Sequence, residues 1–122
     1  MANTTKVVFI GAGGMSFGLS VFRDLFSCTG LLGSTLMLVD IDADKLAYMV
    51  EFAQLMNAKS NAALKIESST QWRDALPGAS FVLNATVIDR NRLWKFDFDV
   101  QRKYGIRHTL DDNGGRDDCS LP

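Results

Sequence analysis

The run Lys6-Val7-Val8-Phe9-Ile10 is apolar and rich in β-branched residues, and it stops at Gly11-Ala12-Gly13-Gly14. Behind that turn, Leu19, Phe22, Leu25 and Phe26 recur at helical spacing. A second apolar run, Leu36-Met37-Leu38-Val39, ends in Asp40. Strand, glycine turn, helix, strand and terminal acid in that order leave few folds open. They specify a parallel strand–helix–strand unit of the kind that holds a dinucleotide. Gly11 turns the chain sharply out of the first strand, and Gly13 removes a side chain where backbone approaches a pyrophosphate. Gly14, Met15, Ser16 and Phe17 lead into the helix, whose N-terminus offers unpaired N–H groups and the positive end of its dipole. Asp40 is placed to accept both hydroxyls of a ribose. Its charge would repel a 2′-phosphate, so the pattern favours NAD over NADP. Ser16 stands where the third glycine of G-x-G-x-x-G falls, and the next glycine is Gly18. Serine is small enough for a helix and a strand to pack closely. The competing account of such glycines is a plain strand-to-helix turn, and the flanking strand, helix and acid weigh against it.

The rest of the chain continues the alternation. The first helix is predicted from Met15 to Ser27, and Thr29 to Gly33 reads as a loop. Asp42 caps a helix that runs to about Lys59, with Leu46, Met49, Val50, Ala53 and Met56 on its apolar face. Asn57 to Ala62 reads as a turn, Lys65 to Ser68 as a strand, and Gln71 to Leu76 as a short helix ended by Pro77-Gly78. Phe81 to Ala85 reads as a buried strand, Asp89 to Arg92 as a loop, and Leu93 to Tyr104 as a helix ended by Gly105. Ile106 to Leu110 begins a further strand in this reading. The fold class is α/β: a Rossmann-like, doubly wound parallel sheet, incomplete at about four to five strands, with order 3-2-1-4. The cofactor crevice then lies between the first and fourth strands.

Asn84 is expected at the carboxyl end of the fourth strand. It either meets the ribose next to nicotinamide, or a substrate hydroxyl, or caps its own strand end. Arg90 on the following loop is a candidate to hold a sugar hydroxyl or a phosphate. Trp94 and Phe98 share a helix face and read as core rather than as a sugar platform. Cys28 reads as a small core residue at the end of the first helix.

Composition excludes several classes. With 122 residues the chain holds one domain at most, and 47% hydrophobic with 22% charged residues is ordinary for a globular protein. A net charge of −1 gives no basic face for nucleic acid. Asp24 interrupts the longest apolar candidate for a membrane span, and Met1 to Lys6 have no signal-peptide core. Cys28 and Cys119 have no metal-like spacing, and a reducing cytoplasm is the simplest compartment.

Phe9-Ile10-Gly11-Ala12-Gly13, Val39-Asp40-Ile41-Asp42, Asn84, Asp97-Phe98, Lys103-Tyr104-Gly105-Ile106-Arg107 and Asp112-Asn113-Gly114-Gly115 together resemble the amino-terminal region of glycoside hydrolase family 4. The last two pieces are more specific than the glycines, because lactate and malate dehydrogenases share only the glycines. The resemblance implies glycosidic cleavage by a redox route, unlike the usual pair of carboxylates. NAD takes a hydride from C3 of the sugar, a base removes the C2 proton, and the glycosidic oxygen leaves. A divalent metal, usually manganese, polarises the C2 and C3 oxygens. Asp112 corresponds to an acid of the family's pocket, though a turn aspartate before Asn113-Gly114 explains it as well.

The resemblance also sets limits. It places the family's metal-binding Cys and His, and its tyrosine base, after the Gly-Gly segment. No catalytic or metal-ligating residue is therefore expected in this chain, and Mn2+ is expected only for the full-length enzyme. His108 falls in the wrong segment to serve. Gln101 stands where the family has proline, and Asp111 where it has glycine. The expected organisation is a partial NAD-binding domain over residues 1–115 and an irregular tail over 116–122. One added cytosine after Gly115 would turn suitable codons of that tail into Gly-Gly-Pro-Gly-Arg-Leu-Phe-Pro, closer to the family's pattern. A frame-shifted or truncated member and a natural short protein with a polar tail both stay open. A homo-oligomer is expected, because an apolar fourth strand without further neighbours tends to pair with another chain. The alternatives to the glycosidase reading are a domain of a lactate/malate-type oxidoreductase and a non-catalytic NAD-binding module.

Overall fold

The computed structural model describes residues 4–106. The chain divides into two compact units, Met1–Thr86 and Val87–Pro122. In the first unit, strands β1 (Lys6–Ile10), β2 (Thr35–Val39), β3 (Lys65–Ser69) and β4 (Phe81–Asn84) form one sheet, every pair parallel, in the order β3-β2-β1-β4. Helices α1 (Met15–Ser27), α2 (Ala43–Ser60) and α3 (Trp72–Ala75) make the crossovers. This is the Rossmann-like α/β architecture, with the strand order expected from the sequence.

The two central strands explain the core. A strand covered on both faces can be apolar throughout, and β1 and β2 are. Their register sets Val7 opposite Leu36 and Phe9 opposite Leu38. These four pack with Phe22 and Phe26 of α1 and with Leu46, Met49 and Ala53 of α2. The alternate residues Val8, Met37 and Val39 pack with Ala75 of α3. Period-two alternation therefore sends one set to the α1/α2 layer and the other to α3. Phe22 is fully buried. Its ring meets Phe9 edge-on at 6.3 Å and Phe26 at 5.9 Å, and stacks on Phe52 at 6.3 Å.

Local chemistry ends the elements. The Asp42 carboxylate accepts from the Lys45 backbone N–H (3.1 Å) and caps α2. Asn61 closes α2 in the left-handed conformation, φ 53°. The Asn57 side chain then clamps the approach to β3, accepting from the Leu64 N–H (2.9 Å) and donating to the Leu64 carbonyl (2.8 Å). Asn57 is thus helical, and the turn begins later than its composition implied.

Four expectations are corrected. The strand at Phe81–Asn84 is not buried: Phe81 is 61% and Val82 49% exposed, because among the described residues β4 has β1 as its single neighbour in the sheet. Cys28 is exposed as the C-cap residue of α1, beyond its buried face. In the second unit α4 spans Arg90–Lys103, so Arg90, Asn91 and Arg92 form helix and not loop. No residue of α4 is buried. Trp94 and Phe98 share a face as expected but are not core; the guanidinium groups of Arg90 and Arg102 lie over their rings at 6.0 and 5.1 Å. The strand expected from Ile106 to Leu110 lies almost wholly outside the described residues.

The cap of α2 has a pH signature. The Lys45 backbone N–H, assisted by the Lys45 ammonium, holds the Asp42 carboxyl below its ordinary range. A carboxyl lowered on folding stabilises the protein above its unfolded value, about 3.9, and loses that contribution as pH falls through the folded value. Asparagine caps a helix nearly as well but carries no charge. The stability advantage of the parent over Asp42→Asn, read from urea midpoints, should therefore shrink as pH falls below about 4. A gap that stays constant down to the acid limit would contradict this account of the cap.

Candidate functional site

Parallel strands expose their carboxyl ends along one edge of the sheet, and ligands of such folds bind there. The turn after β1 and the acid after β2 meet at that edge. Gly11 and Ala12 both donate N–H bonds to the Val39 carbonyl, at 2.8 and 3.0 Å. The Gly13 N–H donates to Oδ2 of Asp40 at 2.7 Å, and the Asp42 N–H donates to Oδ1 at 2.9 Å. The Gly14 N–H reaches back to the Gly11 carbonyl at 3.3 Å. The four amides of the glycine turn are therefore committed within the protein.

The glycines answer to the fold first. Gly11 has φ +87°, and a Cβ there would sit 2.7 Å from the Ala85 carbonyl oxygen. A Cβ on Gly13 would sit 2.7 Å from Oδ2 of Asp40 and 3.0 Å from the Lys45 Cβ. A Cβ on Gly18 would meet the Met49 Cε at 2.8 Å and lie 3.9 Å from the Phe9 ring. Close packing of α1 on its neighbours thus falls on Gly18. Gly14 is different: a Cβ there would meet only the Gly11 carbonyl oxygen, at 3.6 Å.

What remains open to a ligand is the end of α1. Its N-cap is Gly14, with no side-chain cap and no acidic residue in the first turn. The first intrahelical bond runs from the Gly18 N–H to the Gly14 carbonyl, 2.8 Å. The N–H groups of Met15, Ser16 and Phe17 precede it and point out along the helix axis. Met15 is 70% and Phe17 57% exposed, and Phe17 rests edge-on against Phe9 at 6.4 Å. An uncapped helix end of this kind suits an anion.

The structure brings together Gly11, Gly13, Gly14, Met15, Phe17 and Asp40, with Ser16 in the first turn of α1. Asn84 pairs in register with Ile10, so it too ends its strand at this edge. Its Oδ1 accepts from the Thr86 N–H (3.1 Å) and the Thr86 hydroxyl (2.7 Å), which is the strand-end capping role. Arg90 belongs to the second unit. Asp112, His108, Cys119 and the tail lie outside the described residues. Sequence reasoning missed Ile41, which directly follows Asp40 and is 92% exposed. An apolar residue in an otherwise polar strand-end sequence, Asp40-Ile41-Asp42, was the available signal. Among the described residues no three His, Cys, Asp or Glu side chains are grouped to hold a metal ion, and no helix is long and apolar enough to cross a membrane.

Fold and turn together define a Rossmann-like domain. Residues 6–118 match the family 4 glycosyl hydrolases, and the chain belongs to that family. It is 37% identical to an alpha-glucosidase of Erwinia rhapontici over 91% of this chain and 25% of that protein. It is 30% identical to an alpha-galactosidase of Bacillus subtilis over 90% of this chain and 26% of that one. The chain spans about a quarter of the length of these relatives. Among solved structures it resembles a 6-phospho-alpha-glucosidase from gut microorganisms, in complex with NAD and Mn2+, at TM-score 0.67 and 16% identity, over 88% of this chain and 24% of that one. A 6-phospho-beta glucosidase of Thermotoga maritima, with NAD and glucose-6-phosphate, gives TM-score 0.66 and 19% identity over 84% and 24%.

The turn predicts opposite fates for two glycines. Gly11→Ala forces a left-handed φ and a clash with backbone, and should destabilise the protein by at least about 1–2 kcal/mol. Gly14→Ala meets no backbone and should cost less, about 0.5–1 kcal/mol, because alanine is a poorer N-cap than glycine. Thermal or urea unfolding of both variants is the check, and equal losses would refute the distinction.

Proposed function

We propose that this chain is the NAD-binding part of a family 4 glycosidase, acting on a sugar substrate. The observation that carries the reading is the uncapped N-terminus of α1 opening beside the Asp40 carboxylate. The residues fit the group: Met15, Ser16 and Phe17 offer N–H groups to the pyrophosphate, Gly11, Gly13 and Gly14 shape the turn, and Asp40 accepts the ribose hydroxyls. Ile41 offers apolar surface to the adenine. Asn84 keeps its amide nitrogen for the ribose next to nicotinamide or for a substrate hydroxyl. Arg90 is the candidate for a sugar hydroxyl or phosphate. When bound, NAD supplies an acceptor for the C3 hydride of the sugar. The described residues include no group of three His, Cys, Asp or Glu side chains that could hold manganese.

The same reading places the protein in the cytoplasm, in keeping with the free, exposed Cys28 thiol. It also takes the protein as a homo-oligomer. Among the described residues β4 is a sheet edge with Phe81 and Val82 exposed, and such an edge is a template for another chain. Light scattering across a dilution series should show association that weakens on dilution. A monodisperse monomer at every concentration would rule the oligomer out.

Cofactor choice is the direct test of the function. The parent chain, titrated by calorimetry, should bind NAD at least about tenfold more tightly than NADP, since a 2′-phosphate would face the Asp40 carboxylate. Equal affinities would remove Asp40 from the ribose site, and no binding of either would remove the cofactor reading.

A further inference from the structure

The Asp40 carboxylate is already occupied before any ligand arrives. Its two oxygens offer about four acceptor positions. One takes the N–H of Gly13 across 27 residues of sequence, and one takes the N–H of Asp42. Gly13 is buried, and a buried N–H needs an acceptor. Beside it, the N–H groups of Gly11 and Ala12 both rest on the Val39 carbonyl. Three successive amides of the turn are thus tied to residues 39 and 40. The first two bonds use main chain and survive any side-chain change. The third depends on Asp40 alone.

We propose that Asp40 is a positioning residue for the anion-binding turn, which its carboxylate latches through the Gly13 amide, in addition to being the acceptor of the ribose hydroxyls. For its ligand the proposal rests on the dinucleotide reading; the latch itself does not. The chemistry of the two roles differs in sign for one class of ligand. A carboxylate that only reads ribose repels a diphosphate lacking the ribose hydroxyls, so removing it leaves such a ligand bound equally or more tightly. A carboxylate that holds the turn in shape keeps the N–H groups of Met15, Ser16 and Phe17 aimed at the diphosphate, so removing it weakens the same ligand. It follows that cofactor choice and turn order are coupled in this chain. Exchanging Asp40 for a small neutral residue to admit a 2′-phosphate loosens the turn that must hold the pyrophosphate.

The probes are ADP and 2′,3′-dideoxy-ADP, titrated by calorimetry into the 122-residue chain and its Asp40→Ala variant, with amide exchange at Gly13 and Asp42 followed by NMR. Asp40→Ala should weaken ADP by about tenfold or more, the scale of hydrogen bonds to a charged group. It should also weaken dideoxy-ADP several-fold and speed exchange at Gly13 by at least about tenfold. If ADP weakens while dideoxy-ADP and Gly13 exchange do not change, Asp40 reads ribose only and the latch is overturned, with the dinucleotide reading intact. If the parent binds neither probe, the dinucleotide reading fails, and Gly13 exchange alone judges the latch: unchanged exchange in Asp40→Ala overturns it. Should Asp40→Ala not fold, Asp40→Asn decides. Its single carbonyl oxygen serves one of the two amides, so either Gly13 or Asp42 should exchange faster, and parent-like protection at both overturns the proposal.

Discussion

The carboxylate of Asp40 joins the ends of the two central strands. β1 and β2 are hydrogen-bonded along their length, but the chain leaves them in different directions, and regular pairing stops at Ile10 and Val39. Beyond that point the Val39 carbonyl takes two amides of the turn and the Asp40 side chain takes a third. A hydrogen bond from an amide to a carboxylate is stronger than one to a neutral acceptor, because the acceptor carries a charge. The closure is tight, since a Cβ on Gly13 would lie 2.7 Å from Asp40 Oδ2 and 3.0 Å from the Lys45 Cβ at the start of α2.

The sheet puts the site where its topology reverses. The chain moves from β1 outward through β2 to β3, then crosses to the far side of β1 for β4. In sheets of this kind ligands bind outside the carboxyl ends of the strands at such a reversal. At Gly11 the two strand ends pack closely, since the backbone of Ala85 and Thr86 fills the space its side chain would need. The core is arranged for the same purpose. Val7 and Phe9 are held by α1 and α2 on one face, Val8 by α3 on the other, and the strand that carries the turn is clamped on both sides.

Periodicity made most of this legible. The bounds of β1, α1 and β2 follow from apolar runs and a glycine turn, and the strand order follows from the alternation of strands and helices. What escaped was position in the sheet and geometry across it. Phe81-Val82-Leu83 has the composition of a covered strand, and nothing in those residues says that β4 pairs with β1 alone among the described residues. Arg90 to Arg92 looked like loop because charges cluster there, yet the helix starts at Arg90 behind a left-handed Asp89, before the charges end. Cys28 lies one residue past the helix and turns away from its apolar face. The bond between Asp40 and Gly13 joins positions 27 residues apart, a distance over which no local pattern reports.

The glycine fingerprint therefore carries less ligand information than its reputation implies, and the helix end carries more. Gly11 and Gly13 are required by contacts with Ala85 and Asp40 that exist without any cofactor. A chain that never bound a dinucleotide would need the same two glycines to make the same turn. The bare N-cap is harder to explain that way. A side-chain cap at Gly14 would satisfy an amide of α1, a gain over glycine of only about a few tenths of a kcal/mol, and the contacts around Gly14 leave room for one. That bare start is shared by α3 and α4, whose N-cap residues Gln71 and Asp89 make no side-chain cap bond either, while α2 is closed by Asp42. What sets α1 apart is its neighbourhood: its open end lies beside the Asp40 carboxylate at the carboxyl edge of the sheet, which is the arrangement that the proposed NAD site requires.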